Sequence, residues 1–302
     1  MKMKTRYLFS LAALALLTAA CSSDEMAQTP ADQPAPAKQM IPFSAVIGSN
    51  AATTRVLAEA ENGETIIAKW QKGEKIALIH GEAIDTLEVS YVDATTGAAT
   101  ITGDITSPTN NEAVNVVYVG HQLGCMGEFV NRLKECYEAS KGDRDLTAIP
   151  ADIITEVIKE RLGKQDGTLE TISNKLDCRY TTSTLKVSDG TATFGSKVEL
   201  NPCFTIWKVN LVNESSYQPF NAQKLEFDIF HPDNSYTPYF LDNGNMRSTF
   251  YVAFIPDPDG NSFEFSTDID YAFYKYPIHD ITLEIGKFYT STLQLERWTD
   301  SM

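Results

Sequence analysis

The sequence feature that most constrains the fold is a series of short runs, rich in β-branched and aromatic residues, separated by Gly, Asp, Asn and Pro. Such a series is typical of strands joined by turns. Leu87, Val89 and Tyr91 alternate with Glu88 and Ser90, so we expect this strand to face the core on one side and water on the other. The first part of the chain is therefore predicted to form an antiparallel sandwich, with strands at Thr65–Trp70, Lys75–His80, Thr86–Val92, Ala98–Ile105 and Ala113–Val119.

A different period interrupts the strands between about residues 125 and 176. Apolar residues recur there at helical spacing, and Pro150 and Gly163 stand where a helix begins and ends. We predict a small insert of two or three amphipathic helices, whose apolar stripes are Phe129, Leu133 and Tyr137, then Ile154, Val157, Ile158 and Leu162, then Leu169, Ile172 and Leu176. The helices could form a binding surface, but covering an open end or edge of a sandwich is the favoured interpretation.

Strands resume at Tyr180 and are numerous enough for a second β-sandwich. We place a domain boundary near Cys178, giving domains at 41–178 and 179–302. The predicted strands are Thr184–Val187, Thr191–Phe194, Val198–Leu200, Phe204–Val212, Lys224–Phe230, Thr249–Pro256, Ser262–Thr267, Tyr271–Tyr276, Ile281–Ile285 and Phe288–Trp298.

The first twenty residues have the pattern of an export signal. Lys2, Lys4 and Arg6 precede an apolar run at Tyr7–Leu17, and small residues lead to Cys21. A positive flank, a short apolar core and a small-residue cleavage site define secretory signals. A cysteine directly after the cleavage site resembles the lipobox of bacterial lipoproteins, which implies a lipid on Cys21. The alternative is an ordinary signal peptide with an incidental cysteine.

Residues 21–40 are predicted to be a disordered tether, because Ala, Gln, Pro and Thr dominate them and little apolar surface is available to order them. Ser22-Ser23-Asp24-Glu25 resembles the acidic signal that directs Bacteroidetes lipoproteins to the outer face of the outer membrane.

The charge of the chain argues against nucleic acid as a partner. The chain carries 25 Lys and Arg against 40 Asp and Glu, a net charge of -15. Loss of residues 1–20 removes three positive charges and no negative ones, so the net charge becomes -18. Phosphate backbones and anionic membrane surfaces repel such a protein. Membrane attachment would therefore depend on the lipid.

Four further cysteines, at positions 125, 136, 178 and 203, fit no zinc-binding spacing. Export permits disulfides. On one straight helix, however, Cys125 and Cys136 would stand roughly 16 Å apart, too far for a disulfide. We favour buried free thiols and leave the disulfide state of the four open.

No arrangement of residues indicates an enzyme, and we expect no catalytic, cofactor-binding or metal-binding residues. His80, His121, His231 and His279 are scattered, and neither a G-x-S-x-G motif nor a P-loop occurs. Asp257-Pro-Asp259-Gly-Asn261 could offer oxygens to calcium, but Pro and Asp-Gly favour a hairpin turn.

Aromatic residues are frequent after position 235. If several were exposed together they could stack on sugar rings, so a surface glycan-binding lipoprotein that does not polymerise is the alternative function. Strand alternation more often buries about half of such residues.

Short motifs stand at both ends of the chain. The N-terminal motifs are "IPFSAVIG", "TTR" and "AKWQKGEKIALIH", the last of which contains Trp70, Gly73 and Glu74. The C-terminal motif is "TLEIGKFYTSTLQLERW", which contains Gly286, Lys287 and Tyr289. In these motifs and residues the chain resembles the fimbrillin-like family, the pilin superfamily of Bacteroidetes. The helical insert departs from the family, as does Cys203, which stands where relatives often have His.

The resemblance implies a mainly β fold of two tandem transthyretin-like, Greek-key β-sandwich domains. It also implies a fimbrial or pilus-associated subunit with a role in cell adhesion, exported as a lipid-anchored precursor to the outer membrane surface and then found in the fimbrium. In relatives a trypsin-like protease cuts after an Arg, the first strand is lost, and the C-terminal strand of another subunit fills the groove.

The residues are compatible with this mechanism. Ile41, Phe43, Ala45 and Ile47 alternate and give one apolar face able to fill a groove in a sheet. Arg55 follows small and polar residues, where proteolysis is easiest. We expect Arg55 to be the maturation site; alternatively it is an ordinary surface residue and the strand stays in place.

The donor strand is less clearly marked. Phe288–Trp298 has an imperfect apolar stripe and could simply complete its own domain. Four residues follow Trp298, so we expect a terminal or accessory subunit to be as compatible with the sequence as a stalk subunit.

Overall fold

The architecture is mainly β with a small helical insert, as the sequence predicts, and two large sheets contain most of the strands. The computed structural model describes residues 38–48, 58–59, 66–67, 69–141, 148–231, 235–269 and 272–297. Cys21 and Arg55 lie outside the described residues, so their predicted roles stay predictions.

The first half of the described chain supplies the first sheet and a separate two-stranded pairing of β2 with β3. The strands are β1 (Met40–Ile47), β2 (Ala58–Glu59), β3 (Ile66–Ile67), β4 (Lys75–His80), β5 (Ala83–Val92), β6 (Ala99–Thr106), β7 (Ala113–Val119), β8 (Cys178–Ser188), β9 (Thr191–Phe194) and β10 (Asn201–Pro202).

The first sheet closes on itself. Its order is β10-β8-β7-β4-β5-β6-β1-β9, and β9 also pairs with β8. Alternate side chains from these strands, among them Ile76, Leu78 and Val116, fill the interior. Three strands after residue 178 belong to this sheet, so the change of sheet falls between Pro202 and β11, not at the predicted boundary near Cys178.

The helical insert forms where it was predicted, with α1 at Cys125–Lys141, α2 at Ala151–Leu162, a short α3 at Leu169–Thr171 and a π-helical turn at Ile172–Leu176. Pro150 and Gly163 flank α2. The predicted stripe residues are buried except Leu169, which is half-buried. None of the described helices combines the length and apolar character that a membrane span requires.

The second sheet has the order β13-β12-β15-β16-β17-β11-β14. Its strands are β11 (Thr205–Asn213), β12 (Ala222–Phe230), β13 (Tyr236–Arg247), β14 (Thr249–Phe254), β15 (Asn261–Ile269), β16 (Ala272–Ile281) and β17 (Phe288–Arg297). The predicted strand at Ile281–Ile285 does not form, because β16 ends at Ile281. A tight turn forms between β14 and β15, where Gly260 N donates to Asp257 O at 3.2 Å. The predicted hairpin is wrong, however, because β14 pairs with β11 and β15 pairs with β12 and β16.

A second core lies between the helices and both sheets. It joins Phe129 and Ile154 of the helices to Trp207 and Phe227 of the second sheet, and it includes Ala77 from the outer side of the first sheet. Accordingly β4 is buried along almost its whole length, as strands covered on both faces are. The insert therefore fills the space between the two sheets.

The insert also covers one edge of the second sheet. The Gln165 side chain donates from Nε2 to Ala253 O (2.8 Å) and accepts at Oε1 from Ala253 N (2.7 Å), and Gly167 O accepts from Tyr251 N (2.9 Å). These contacts occupy main-chain groups of β14 that face away from β11. An exposed sheet edge is a template for unwanted pairing, so the observed contacts agree with the interpretation that the insert covers an edge.

Candidate strand-exchange site

The candidate site is β1 and the two strands beside it. Phe43, Ala45 and Ile47 point into the first core and are 2%, 7% and 1% exposed, while Ile41 on the same face is half-buried. Pro42, Ser44 and Val46 face outward. The four residues predicted to form one apolar face therefore share a face. Burial of Phe43 and Ile47 alone contributes about 3 to 6 kcal/mol of hydrophobic stabilisation.

The two edges of β1 differ strongly in how many residues pair with the neighbouring strand. Against β6 the strand is paired antiparallel at eight positions, from Met40↔Thr106 to Ile47↔Ala99. Against β9, among the described residues, the ladder has one parallel pair, Phe43↔Ala192. An isolated bridge of Ile47 with Val198 adds one bond, from Gly48 N to Val198 O at 3.1 Å. The side chains reinforce this weak edge, because the Phe43 and Phe194 rings meet edge to face at 5.0 Å.

β1 closes the first sheet. Its position determines which strands would stay paired if it were lost. Without it, β9 is still joined through β8, β7, β4 and β5 to β6, so the remaining strands stay one continuous sheet. A gap would open between β6 and β9, and its walls would include Ile101, Ile105 and Phe194 from the same core. This gap has the form of a groove for one extended strand.

A buried histidine lies at the end of the site where β1 begins. His80 Nε2 is 3.0 Å from Asp85 Oδ2, and His80 Nδ1 is 3.3 Å from Glu112 Oε1. Asp85 in turn accepts from Thr106 N and Thr106 Oγ1, at 2.8 and 2.7 Å. Thr106 is the partner of Met40. The cluster therefore connects β4, β5 and β6 beside the first residue of β1.

Charge and burial shift the pKa values of His80 and Asp85 in opposite directions. Burial by itself lowers the pKa of His80, but the Asp85 hydrogen bond and the charges of Glu112 and Asp85 outweigh it and raise the pKa above its ordinary value. Burial likewise raises the pKa of Asp85, but the hydrogen bonds from His80 and Thr106 outweigh it and lower the pKa. The arrangement thus stabilises an imidazolium between two carboxylates.

The last described strand differs from β1. β17 pairs in parallel with β11 at eight positions, from Ile206↔Phe288 to Asn213↔Leu295, and with β16 at two positions in the described residues. Leu293 and Leu295 are buried, and Ser291 Oγ accepts a hydrogen bond from Trp207 Nε1 at 2.9 Å. This segment is therefore an interior strand of its own sheet, the alternative that the sequence left open.

The remaining sequence candidates are the potential metal ligands and the late aromatic residues. No group of three metal-ligating side chains is found in the ranges that the structure describes. Most of the late aromatics belong to the second core, where Phe227, Phe254, Phe263 and Phe265 surround Trp207. Phe230, Tyr236 and Phe240 remain exposed on β12 and β13.

Comparison with known proteins gives similar structures but no similar sequence. No family model and no curated protein sequence matches the chain. A fimbrial protein of Bacteroides ovatus is similar in structure, with 10% sequence identity and a TM-score of 0.37 over 85% of this chain and 49% of that one. This chain thus spans about half the length of that protein.

Two further structures are matched over most of their own length. A Bacteroides uniformis protein proposed to act in cell adhesion shows 10% identity and a TM-score of 0.40, over 88% of this chain and 97% of that one. The C-terminally truncated tip fimbrial protein Mfa3 of Porphyromonas gingivalis shows 11% identity and a TM-score of 0.34, over 80% and 82%. These similar structures are fimbrial and cell adhesion proteins, the class of protein that the sequence resemblance names.

Proposed function

We propose that the chain is a fimbrial or pilus-associated surface subunit in which β1 is a removable strand. In this proposal the precursor is anchored to the outer membrane through a lipid on Cys21. Cleavage after Arg55 detaches the lipid and β1 together, and a strand of another subunit enters the gap between β6 and β9. The protein then contributes to cell adhesion and has no enzymatic activity of its own.

The observation that carries the proposal is the position of β1 at the closure of the first sheet. β1 precedes every other described strand, so one cut after it is enough to release it. Its weakly paired edge lies against β9, and the remaining strands stay joined when it leaves. The released apolar positions Phe43, Ala45 and Ile47 define what a replacement must supply, namely alternating apolar side chains and main-chain bonds to β6.

Arg55→Ala in the native host tests the proposal. We expect the surface form to keep its acylated N-terminus, by intact mass, and to be missing from heat-resistant polymers. The matched control is Lys69→Ala, which removes the next basic residue along the chain and should be processed as wild type. Polymers that persist with an uncut precursor contradict the proposal.

The alternative function, glycan binding without polymerisation, is favoured by one observation. Phe230 and Tyr236 stack with centroids 6.3 Å apart, and Phe240 is exposed on the same face of β13 as Tyr236. Tyr236→Ala with Phe240→Ala should abolish retention on a glycan array if these aromatic residues are a sugar platform. Unchanged retention, or none by the wild type, rejects the alternative.

A further inference from the structure

Two thiols face each other where the chain passes from the first sheet to the second. Cys178 is the first residue of β8, and Cys203 follows β10 two residues before β11. β10 and β8 are antiparallel with Asn201 opposite Tyr180 and Pro202 opposite Arg179. The next position in this register places Cys203 opposite Cys178, and Cys203 N donates to Cys178 O at 3.0 Å.

Register and packing place both side chains on the same side. Directly opposed residues of antiparallel strands project to one face with Cα atoms about 4.5 to 5.5 Å apart, which lies within the range that a disulfide spans. Cys178 belongs to the second core, and Cys203 packs against that core. Both thiols are free in the structure.

The two thiols differ in access. Cys178 is 2% exposed, whereas Cys203 is half-buried. Cys203 lines an open cleft of about 420 Å³ between α2 and the two sheets, together with Ile154, Tyr180 and Ile255. Burial, followed by the neighbouring Cys203 thiol, holds the pKa of Cys178 well above its ordinary value. Cys203 is therefore the thiol that a reagent in solution reaches first.

We propose that Cys178 and Cys203 form a redox-sensitive pair that closes to a disulfide and fastens the start of the second sheet to β8. An organic or protein disulfide is the oxidant. The Cys203 thiolate attacks one sulfur of that disulfide, forming a mixed disulfide and releasing one thiol. The Cys178 thiolate then attacks Cys203 Sγ and releases the second thiol. The two cysteines are oxidised, the oxidant is reduced to two thiols, and the two protons pass to those thiols.

The other two described cysteines serve as internal controls. Cys125 and Cys136 both lie on α1, which fixes them about 16 Å apart. Cys125 Sγ donates to Asn174 O at 3.7 Å. They cannot join to each other while α1 is intact, so oxidation of the folded chain should be selective.

The test is peptide mapping of the folded full-length chain after exposure to oxidised glutathione. Free thiols are blocked with N-ethylmaleimide in denaturant, and the chain is digested with trypsin without reduction. We expect the tryptic peptides 176–179 and 198–208 to appear as one disulfide-linked species. Oxidation should also raise the melting temperature by about 5 to 10 °C, because it closes a loop of about 25 residues.

Single variants distinguish the proposed order of steps. Cys178→Ser should trap glutathione on Cys203, whereas Cys203→Ser should leave Cys178 unmodified in the folded chain. The double variant Cys125→Ser with Cys136→Ser should still give the linked peptides. The proposal is overturned if the folded wild type gives no 176–179 and 198–208 species, or if linkages to Cys125 or Cys136 form equally often. Peptide mapping of the wild type shows whether Cys178 and Cys203 form a disulfide even where a variant fails to fold. Its result does not depend on the proposed pilus function.

Discussion

The first and last described strands, β1 and β17, are paired with their neighbours in a similar way, but the loss of each strand would affect its sheet differently. Each has eight paired positions with one neighbour, and the described residues give each a short contact with the other neighbour, one pair for β1 and two for β17. The sheets around them differ. The first sheet closes through β8 and β9, so loss of β1 leaves one continuous sheet. Among the residues that the structure describes, no pairing closes the second sheet, so loss of β17 separates β11 and β14 from the four strands on the other side.

Removability is thus a property of the sheet that surrounds a strand and not of the strand alone. A strand that closes a sheet can leave a groove behind it, whereas an interior strand of an open sheet holds two halves together. This difference is why the proposed function assigns exchange to β1. In the proposed function the donor is a strand of another subunit, whereas β17 contributes Leu293 and Leu295 to its own core.

The largest expected difference is between two truncations. A chain that ends at Lys287 lacks β17 and should not fold, losing the whole free energy of unfolding, about 5 to 15 kcal/mol for a typical domain. A chain that begins at Val56 lacks β1 and should keep its strand signal in far-UV circular dichroism and a cooperative urea transition at a lower midpoint. Equal loss of structure in both truncations would contradict the proposed difference between β1 and β17.

Truncation of one inward-facing residue of β1 tests how much the strand contributes while it is in place. Phe43→Ala should lower the free energy of unfolding by about 3 to 5 kcal/mol, because it empties a packed position beside Phe194. Ser44→Ala on the outward face is the control and should stay within about 0.5 kcal/mol. Urea denaturation of both variants measures the difference, and similar effects would contradict the inward orientation.

Removing the side chain that covers the β14 edge of the second sheet should have a smaller effect on the free energy of unfolding. Gln165→Ala leaves Ala253 N and Ala253 O without their observed side-chain partner, and unpaired buried groups cost about 1 to 3 kcal/mol each. We therefore expect a loss of about 2 to 4 kcal/mol, with increased aggregation through the uncovered β14. Lys164→Ala, the exposed neighbour, should change neither the urea midpoint nor light scattering. Equal behaviour of the two variants would indicate that Gln165 does not protect this edge.

The smallest expected effect is the pH dependence that arises from His80. The folded pKa of His80 is raised, so its contribution to stability is present below the ordinary value of 6.5 and is lost as pH rises through the higher folded pKa. The folded pKa of Asp85 is lowered, so its contribution is present above 3.8 and is lost as pH falls through the lower folded value. Urea midpoints should therefore be higher at pH 5.5 than at pH 8, and His80→Gln should reduce that difference. An unchanged difference in the variant would assign the pH dependence to other groups.

Local patterns in the sequence predict most of the elements, and the exceptions have identifiable causes. The helical stripes and the alternation of Ile41, Phe43, Ala45 and Ile47 follow from side-chain period alone. The alternation also predicts that Tyr91 lies in the core with Leu87 and Val89, but its side chain is 59% exposed. The register of β5 against β6 shifts between Val89 and Tyr91, and such a bulge turns the following side chain to the other face.

The sequence does not predict strand β13, because this segment contains turn formers. Pro238, Asn243 and Gly244 fall within Tyr236–Arg247, and each of these residue types argues against a strand. The strand tolerates them because it lies at an edge of the sheet, where one side needs no partner. Its exposed aromatics Tyr236 and Phe240 also obscure the usual pattern of a buried stripe.

The candidate site itself was only half predictable. The apolar face of β1 can be read from sequence, whereas its neighbours β6 and β9 cannot, because they lie about 55 to 150 residues away in the chain and no local pattern records the pairing. The same holds for the parallel pairing of β11 with β17 and for the opposition of Cys178 and Cys203. These features depend on topology, which determines whether a strand can be removed.

The most direct test of whether β1 is a removable strand is its replacement in the folded protein. The full chain is cut after Arg55 and incubated with an excess of isotope-labelled peptide of residues 38–50, while hydrogen exchange is followed in β6 and β9. We expect the labelled peptide to replace β1 and to restore protection in β6 and β9, while the second sheet stays protected throughout. A peptide carrying Phe43→Asp should fail where one carrying Ser44→Asp succeeds. Global unfolding on loss of β1, or equal uptake of the two variant peptides, would contradict the removability of β1.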